Sequence, residues 1–258
     1  MSNTALITGA SSGIGTEFAR IHAAKGGNMV LVARGTDKLE ELKTQLESAY
    51  GVSVAVIGQD LSLPGAAEAV FTATEASGTE IDVLINNAGI GGHGKFHERE
   101  LAREQTMMHL NMVSLTELTH LYLKGMVQRN RGQVLNVGST AGFMPGPLQA
   151  VYYASKAYVL SFSQAIANEL SDTSITVTTL CPGPVATGFV ANAELENVAM
   201  FDRSASAESV AKCGYDAMEK GQLVKINEPS LHFMLNWIVP LLPRKTVLSL
   251  SRKTMEKS

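Results

Sequence analysis

The chain has 258 residues, of which 45% are hydrophobic and 17% are charged, and its formal net charge is −3. That length and apolar content suit one large α/β domain with a sizeable core, and the low charge leaves part of the surface neutral or buried in an oligomer. A slightly acidic chain without a long basic stripe is not expected to bind nucleic acid.

Strand-like runs rich in Val, Ile, Leu and Thr alternate with helical patterns along the chain. The runs predict strands over residues 4–9, 28–34, 53–60, 82–89, 132–139 and 175–183. The intervening patterns predict helices over residues 14–24, 36–50, 63–77, 98–128 and 146–170. Because the strands are nearly continuous apolar runs, they predict an α/β fold: a doubly wound parallel sheet with helices on both faces. No repeat or linker divides the chain, so residues 1–258 are predicted to form a single domain.

A glycine-rich turn joins the first predicted strand to its helix. The stretch "ALITGASSGIG" places Gly9, Gly13 and Gly15 there, where glycine permits a tight turn and lets the backbone approach a phosphate. Free N–H groups and the dipole at a helix start also favour a pyrophosphate. Such turns can serve packing alone, but the position between the first strand and a helix favours dinucleotide binding.

The end of the second strand bears on the choice between NAD and NADP. An NAD site usually carries an acidic residue there, whereas "VLVARGTDKLEEL" carries Arg34, followed by Lys38. A guanidinium can hold a 2′-phosphate through two hydrogen bonds, and no carboxylate is expected to repel that phosphate nearby. These residues favour NADP(H) over NAD(H). The alternative is a solvated helix start with Asp37 as its N-cap. Asp60 ends the third strand, where it either binds an adenine amine or starts a turn.

Five motifs then follow one another in a set order: "TGASSGIG", "NNAG", a serine at the fifth strand, "YASK" and "PGPVAT". With them the chain resembles the short-chain dehydrogenase/reductase family over residues 4–187. The resemblance implies a Rossmann-type single domain and hydride transfer between NAD(P)(H) and an alcohol or carbonyl. Epimerases and dehydratases of the wider superfamily are disfavoured by the glycine spacing and by the short C-terminal region.

Two adjacent tyrosines precede a lysine in "VYYASKAY" on a predicted helix. Tyr152 lies four residues and Tyr153 three residues before Lys156, so helical spacing alone allows either to face the lysine. The family motif Y-x3-K selects Tyr152 as the acid/base residue, and Tyr153 is then expected to pack against protein. A free tyrosine has a pKa of about 10, and a lysine ammonium within a few Å is expected to lower it. Lys156 is also expected to donate to the nicotinamide ribose.

The resemblance assigns two further catalytic positions. Ser139, in "VLNVGSTAG", lies past the fifth strand, where its hydroxyl would hydrogen-bond the substrate oxygen; its neighbour Thr140 is the residue most easily confused with it. Asn111, in "MMHLNMVS", lies mid-helix, and in the family such an asparagine holds a water that relays protons to the lysine. The alternative for Asn111 is a polar residue that braces the helix.

The motifs "NNAG" and "PGPVAT" complete the predicted cofactor site, although "NNAG" is interpreted as mainly structural. Thr187 is expected to meet the nicotinamide carboxamide, and Cys181 is interpreted as a small buried residue rather than a reactive thiol. The predicted cofactor-binding residues are Gly9, Ser11, Ser12, Gly13, Ile14, Gly15, Arg34, Lys38, Asp60, Leu61, Asn87, Ala88, Gly89, Tyr152, Lys156, Pro182, Gly183, Val185 and Thr187.

The substrate side is less well specified. Residues 186–206 are predicted to form a lid, and their apolar members favour a lipophilic substrate such as a ketone on an acyl chain or a steroid. The glycines of "GGHGKFH" predict a mobile loop at the mouth of the site. The apolar members of the lid are Phe189, Val190, Leu195, Val198, Met200 and Phe201.

The C-terminal segment 222–258 departs from the common ending of the family. Its most apolar part, residues 231–250, is interrupted by prolines and basic residues and is predicted not to span a membrane. It is expected to line the substrate pocket, to contact a membrane surface or to pack against another subunit. Because family members commonly associate through the long fourth and fifth helices, a homodimer or homotetramer is expected.

Other features bear on compartment and on rival functions. Cys181 and Cys213 form no disulfide framework and the N-terminus lacks a signal-peptide pattern, so a cytoplasmic location is expected. No histidine or cysteine spacing is typical of a metal site, including that of His93 and His97, so no metal is expected. The rival function is a redox-sensing regulator that binds NADP(H) and a partner without turnover. The complete set of serine, tyrosine, lysine and asparagine weighs against that alternative.

Overall fold

The core of the fold is a parallel sheet of seven strands, seen in a computed structural model that describes residues 3–201 and 204–257. The strand order is β3-β2-β1-β4-β5-β6-β9, and every neighbouring pair is parallel. The strands of this sheet are β1 (Thr4–Thr8), β2 (Asn28–Ala33), β3 (Val54–Gly58), β4 (Val83–Asn86), β5 (Gln133–Val137), β6 (Thr176–Cys181) and β9 (Val224–Ile226), while β7 (Val185–Ala186) and β8 (Ala205–Ser206) pair separately.

Helices cover both faces of the sheet, as the sequence predicts. Alternate residues of β1 point to opposite faces, so Ile7 packs beneath α1, α2 and α8 whereas Leu6 packs beneath α3, α5 and α6. The helices are α1 (Gly13–Ala24), α2 (Asp37–Tyr50), α3 (Ala66–Ala76), α4 (Leu101–Met108), α5 (Leu115–Arg129), α6 (Ala150–Glu169), α7 (Phe189–Asn192), α8 (Ala207–Glu219), α9 (Pro229–Phe233) and α10 (Arg244–Met255).

The order of the strands determines where a ligand can bind. The chain runs outward from β1 through β2 to β3 and then returns to β4 on the other side of β1. Ligands of open α/β sheets bind outside the carboxyl ends of the strands at such a reversal. The residues that follow β1, β4 and β5 therefore meet at one edge of the sheet, and these are the residues that carry the predicted motifs.

The main differences between prediction and structure concern one helix and one strand. The helix predicted over residues 98–128 begins at Leu101, after a 3-10 turn at Phe96–Glu98, and contains a π-helical turn over His109–Ser114 that separates α4 from α5. π-helical turns inside helices are frequent at functional sites, and this one contains Asn111. The seventh strand, Val224–Ile226, was not predicted because three residues are too few to establish an alternating pattern.

A buried histidine ties α1 to α8 on one face of the sheet. His22 is fully buried; its Nε2 lies 3.1 Å from the carbonyl oxygens of Asn3 and Asn28, and its Nδ1 lies 2.7 Å from the hydroxyl of Tyr215. Since carbonyl oxygens only accept, Nε2 carries the hydrogen and Nδ1 accepts from Tyr215. Burial lowers the pKa of His22 from its ordinary value, although the two carbonyls act in the opposite direction. His22 is therefore neutral in the folded protein.

This histidine should make stability depend on pH below its ordinary pKa of about 6.5. As the pH falls from about 6.5 towards the lowered folded pKa, the unfolded chain gains a proton that the folded protein does not, so the free energy of unfolding falls by up to about 1.4 kcal/mol per pH unit. We expect His22→Gln to cost about 1–3 kcal/mol at pH 8 and less at pH 5, as measured by urea unfolding. The exposed His120→Gln is the control, and a loss that is equal at both pH values would contradict the assignment.

Candidate active site

A cavity of about 590 Å³ lies at the carboxyl edge of the sheet and brings the predicted residues together. Every predicted catalytic and cofactor-binding residue lines this cavity except Gly15 and Asn111. Both exceptions lie directly behind lining residues: a Cβ on Gly15 would touch Gly9, and Asn111 contacts the loop that follows β4. The residues that line the cavity include Arg34, which follows β2, and Phe189 in the predicted lid.

The glycine turn has the backbone geometry that phosphate binding needs. Gly9 and Gly13 have φ angles of +66° and +57°, a region that favours glycine, and a Cβ on Gly15 would lie 2.2 Å from the carbonyl oxygen of Gly9. Ser12 caps α1 without a side-chain hydrogen bond, so the first N–H groups of the helix are left to the cavity. Asn87 Nδ2 donates to the carbonyl oxygens of Thr8 and Gly9 and holds the turn beside β4. These residues fit a dinucleotide pyrophosphate.

The far end of the cavity carries both cations and carboxylates. Arg34 and Lys38 are exposed, line the cavity and form no ion pair within residues 3–201 and 204–257. Asp37 is the first residue of α2 and not its N-cap, which is Thr36. Asp37 also lines the cavity. The expectation that no carboxylate repels the 2′-phosphate stays a prediction. Three residues, 34–36, separate the end of β2 from the start of α2.

Asp60 forms the predicted turn and also lines the cavity, while its contact with an adenine amine stays a prediction. Its Oδ1 accepts from the backbone N–H and the hydroxyl of Ser62, at 3.0 and 2.7 Å, which is a turn at the end of β3. The side chain also lines the cavity. Burial opposes ionisation of this carboxyl, but the bonds from Ser62 and the nearby charge of Arg34 lower its pKa from the ordinary value. Asp60 is therefore ionised at neutral pH.

Helix α6 presents Tyr152 and Lys156 to the middle of the cavity. The Nζ of Lys156 lies 5.8 Å from the ring centre of Tyr152 and donates to the carbonyl oxygen of Val137 at 2.9 Å. Tyr153 is buried, and its ring packs so tightly on Gly146 that a Cβ there would lie 2.2 Å from it. The packing role predicted for Tyr153 agrees with this burial. Although Tyr153 contributes to the cavity wall, its ring contacts Ala141 and Met255.

Burial dominates the electrostatics of this pair. It raises the pKa of Tyr152 to about 12, against the opposing effect of the Ser139 side chain, and it lowers the pKa of Lys156 to about 8. The expected lowering of the Tyr152 pKa by Lys156 is therefore not found in the protein chain by itself. The reason is that removing the Tyr152 phenolate from water costs more free energy than the nearby Lys156 ammonium contributes by attraction at this distance.

Ser139 and Thr140 are separated by their hydrogen bonds. The Oγ of Ser139 accepts from the N–H of Ala141 at 3.1 Å, which leaves its own hydrogen available to donate into the cavity. The hydroxyl of Thr140 donates instead to the carbonyl oxygen of Pro182 at 3.2 Å, so it holds the turn after β6. Cys181, just before that turn, is fully buried, and burial raises the pKa of its thiol to about 12. It is a packed, un-ionised residue.

Asn111 is a buried brace in this structure. Its Nδ2 donates to the carbonyl oxygen of Ile90 at 2.9 Å and to the hydroxyl of Ser155 at 3.1 Å, and its Oδ1 accepts from the N–H of Ile90 at 3.0 Å. A Cβ on Gly89 would lie 3.3 Å from Asn111 Oδ1 and 3.5 Å from Lys156 Nζ. Asn111 thus fixes the loop that passes over the lysine. These contacts match the bracing alternative; the water-holding role stays a prediction.

The substrate end of the cavity is more apolar and partly unexpected. Of the six predicted lid residues, Phe189, Met200 and Phe201 line the cavity, and the ring of Phe189 lies 5.4 Å from that of Tyr152. Val190, Leu195 and Val198 do not line it; Leu195 and Val198 are buried inside a small cluster within the lid itself. Residues 202 and 203 of the lid lie outside the described residues. Gln149 and Met255, which were not predicted, also line the cavity.

The loop after β4 is held by several contacts and not left open. Arg99 Nη1 donates to the carbonyl oxygen of His93 at 2.6 Å, and its Nε pairs with buried Glu104. The N–H of Gly94 donates to the carbonyl oxygen of Leu148 at 2.8 Å. These contacts do not support the expected mobility of the loop. No local sequence pattern predicts them. Within the described residues, no three His, Cys, Asp or Glu side chains converge as metal ligands would.

Comparison with known proteins gives relatives that are named reductases or dehydrogenases. Very-long-chain 3-oxoacyl-CoA reductase from Anas platyrhynchos is 31% identical over 258 residues, which cover 97% of this chain and 79% of that protein. The 7beta-hydroxysteroid dehydrogenase from Collinsella aerofaciens is 34% identical over 182 residues, which cover 70% of this chain and 68% of that protein. Some relatives are longer: the match to the Rattus norvegicus very-long-chain 3-oxoacyl-CoA reductase covers 59% of that protein.

Solved structures show the same fold. A short-chain dehydrogenase from Sphingobium yanoikuyae in complex with NADPH is 31% identical and superposes with a TM-score of 0.84 over 90% of each chain. The bulky-bulky ketone specific alcohol dehydrogenase from Comamonas testosteroni is 30% identical, with a TM-score of 0.78 over 87% of this chain and 86% of that one. The family model for short chain dehydrogenase matches residues 3–197. With the parallel sheet, the glycine turn and the Tyr152–Lys156 pair in place, the chain belongs to the short-chain dehydrogenase family of oxidoreductases.

Proposed function

We propose that the protein is an NADP(H)-dependent reductase that converts a lipophilic carbonyl to an alcohol, or runs the reverse reaction. The observation that carries this proposal is the convergence of Ser139, Tyr152 and Lys156 in one cavity whose other end holds Arg34 and Lys38. Phe189 of the lid forms an apolar wall beside Tyr152, with the two ring centres 5.4 Å apart. NADP(H), when bound along this cavity, would supply or accept the hydride.

The side chains of the protein would manage the proton and the substrate oxygen. The Tyr152 hydroxyl donates its proton to the carbonyl oxygen as that oxygen becomes an alkoxide, and the Ser139 hydroxyl donates a hydrogen bond to the same oxygen. Lys156, positioned by its bond to Val137, places a cation near the phenolate that forms on Tyr152. Asn111 acts as a positioning residue, because it contacts the loop over Lys156 and not the substrate.

The preference for NADP(H) rests on Arg34 and on the absence of an acidic residue directly at the end of β2. A charge-assisted hydrogen bond contributes about 1.5–3 kcal/mol, which corresponds to roughly tenfold or more in affinity. We expect Arg34→Ala to raise the dissociation constant of NADPH about tenfold and to leave that of NADH nearly unchanged, in fluorescence titrations. Lys43→Ala, further along α2, is the control because Lys43 does not line the cavity. Equal weakening of both cofactors would contradict the role of Arg34.

The substrate class is inferred from the apolar end of the cavity and from the names of the relatives, which act on oxoacyl thioesters, hydroxysteroids or bulky ketones. The direct test follows NADPH consumption by the purified protein over a panel from small aldehydes to long-chain β-keto esters and steroid ketones. We expect the larger apolar carbonyls to give the higher kcat/KM. Cofactor binding without turnover of any member would favour the redox-sensing alternative.

We also propose a homodimer or homotetramer with a cytoplasmic location. Apolar side chains are exposed along the connected helices α4, α5 and α6, where a second subunit would cover them. The examples are Leu101, Met108, Val113, Val127 and Tyr158, exposed by 63%, 41%, 40%, 44% and 38%. Among the described residues, no helix has the length and apolar character needed to cross a bilayer.

A further inference from the structure

The C-terminal helical segment over residues 229–241 is apolar on two opposite faces. It consists of α9, a π-helical turn at Met234–Ile238 and a 3-10 turn at Val239–Leu241. On one face, Leu231, Leu235 and Val239 recur every four residues and pack into a cluster with Leu160, Cys181 and Ile226. A helix that is apolar all round is normally buried on every side, so the second face needs a separate explanation.

The second face is exposed in this structure. Phe233, Trp237 and Leu241 recur at the same four-residue spacing and are exposed by 59%, 64% and 83%. Met234 and Ile238, exposed by 38% and 42%, extend the stripe along its side. Scattered apolar residues on a surface are ordinary, but a contiguous stripe of this kind marks an interaction site. We call this stripe the C-terminal apolar face.

Positive charge follows the C-terminal apolar face along the chain. Residues 229–255 contain four lysines and arginines and no aspartate or glutamate, although the whole chain has a net charge of −3. Arg252 pairs with Glu256 at 3.1 Å, whereas Arg244, Lys245 and Lys253 form no ion pair in the part of the chain that the structure describes. All four basic side chains are exposed. A partner that complements this segment must therefore be both apolar and anionic.

We propose that the C-terminal apolar face docks on the surface of a membrane that contains anionic lipids. Tryptophan, phenylalanine and leucine beside lysine and arginine form the composition that inserts at the boundary between headgroups and acyl chains. A second copy of the chain is a poorer occupant, because residues 229–255 of that copy would bring the same excess of four basic over no acidic side chains.

The other side of the same C-terminal segment reaches the active-site cavity. Met255, at the end of α10, lines the cavity, and its carbonyl oxygen lies 2.7 Å from His93 Nε2. Leu231 lies against the turn after β6, since a Cβ on Gly183 would be 2.8 Å from its Cδ1. Docking would thus place the membrane and the cavity on opposite sides of this segment. Any link between docking and a lipophilic substrate rests on the proposed function, whereas the docking itself does not.

The test uses the full chain, whose single tryptophan is Trp237. With vesicles of phosphatidylcholine and phosphatidylglycerol, we expect the emission of Trp237 to shift to the blue and to be quenched by brominated acyl chains. High salt or vesicles of phosphatidylcholine alone should reduce both effects, because lysine and arginine attract anionic headgroups. No change with anionic vesicles would overturn the proposal, and so would an equal response to both lipids that salt does not alter. The assay needs neither cofactor nor substrate, so its failure is separable from failure of the proposed function.

Variants divide the contribution of charge from that of apolar contact. Arg244→Gln with Lys245→Gln should weaken binding to anionic vesicles about thirtyfold, since each cation contributes about 1 kcal/mol near such a surface. Phe233→Ser with Leu241→Ser should abolish the quenching of Trp237 while leaving the far-ultraviolet circular dichroism unchanged. The control is Leu63→Ser with Leu223→Ser, two residues exposed by 55% and 45% elsewhere on the surface. If light scattering shows that Phe233→Ser with Leu241→Ser splits an oligomer and vesicles never bind, the face is a subunit contact and the proposal fails.

Discussion

Replacing Tyr152 by phenylalanine is expected to lower kcat by about 10²- to 10⁴-fold, the range that a positioned general acid contributes. The change removes one oxygen and keeps the ring that packs 5.4 Å from Phe189, so the cavity keeps its shape. Cofactor affinity should therefore stay within a few-fold of the original. The measurement is steady-state turnover of a carbonyl substrate together with a fluorescence titration of NADPH.

Tyr153→Phe is the matched control for this prediction. The two tyrosines are neighbours on α6, but Tyr153 is buried against Ala141 and Met255, and burial raises the pKa of its hydroxyl. We expect the Tyr153 variant to lose some stability and little activity. The acid would be misassigned if the Tyr152→Phe enzyme kept more than a tenth of the original kcat. It would also be misassigned if the Tyr153→Phe enzyme lost as much kcat as the Tyr152→Phe enzyme.

Gly15→Ala is expected to weaken cofactor binding by displacing the backbone of the glycine turn. An added Cβ would lie 2.2 Å from the carbonyl oxygen of Gly9 and 2.6 Å from Asn87 Nδ2, and no side-chain rotation can relieve the first of these contacts. The turn must open, at a cost of about 1–3 kcal/mol in the free energy of unfolding. We expect the dissociation constant of NADPH to rise on the order of tenfold to hundredfold. The reason is that the Gly9 backbone, which the added Cβ would displace, belongs to the turn that would bind the phosphate.

Gly26→Ala separates strain from close approach. Gly26 follows α1 with a φ of +77°, so alanine there is strained by about 1–2 kcal/mol, but nothing lies within 4 Å of its added Cβ. Its stability loss should resemble that of Gly15→Ala, while cofactor binding stays unchanged. Thermal unfolding and NADPH titration of both variants decide the matter. Parallel losses of affinity in the two variants would mean that Gly15 acts only through stability.

Short-range patterns carried much of the fold and of the candidate site. Six of the seven strands of the main sheet appear as apolar runs, because a parallel sheet covered on both faces buries each strand completely. Residues with a special backbone role, such as Gly9 and Gly13, show in the sequence because only glycine adopts their positive φ without strain. The spacing of Tyr152 and Lys156 left two candidate tyrosines, and the family motif together with the burial of Tyr153 separates them.

Long-range contacts could not be predicted in the same way. Met255 reaches the cavity from the end of the chain, Arg99 holds the loop after β4, and Asp37 lines the cavity together with Arg34 and Lys38. The raised pKa of Tyr152 likewise reflects how much protein surrounds it, which spacing on a helix does not reveal. The sequence by itself determined the layered α/β fold and the position of the glycine turn, since these depend on local periodicity and backbone conformation, and the resemblance to a family supplied the candidate catalytic side chains. Only the tertiary structure decided which side chains line the cavity and that one face of the C-terminal segment is left exposed, because both depend on contacts between residues far apart in the chain.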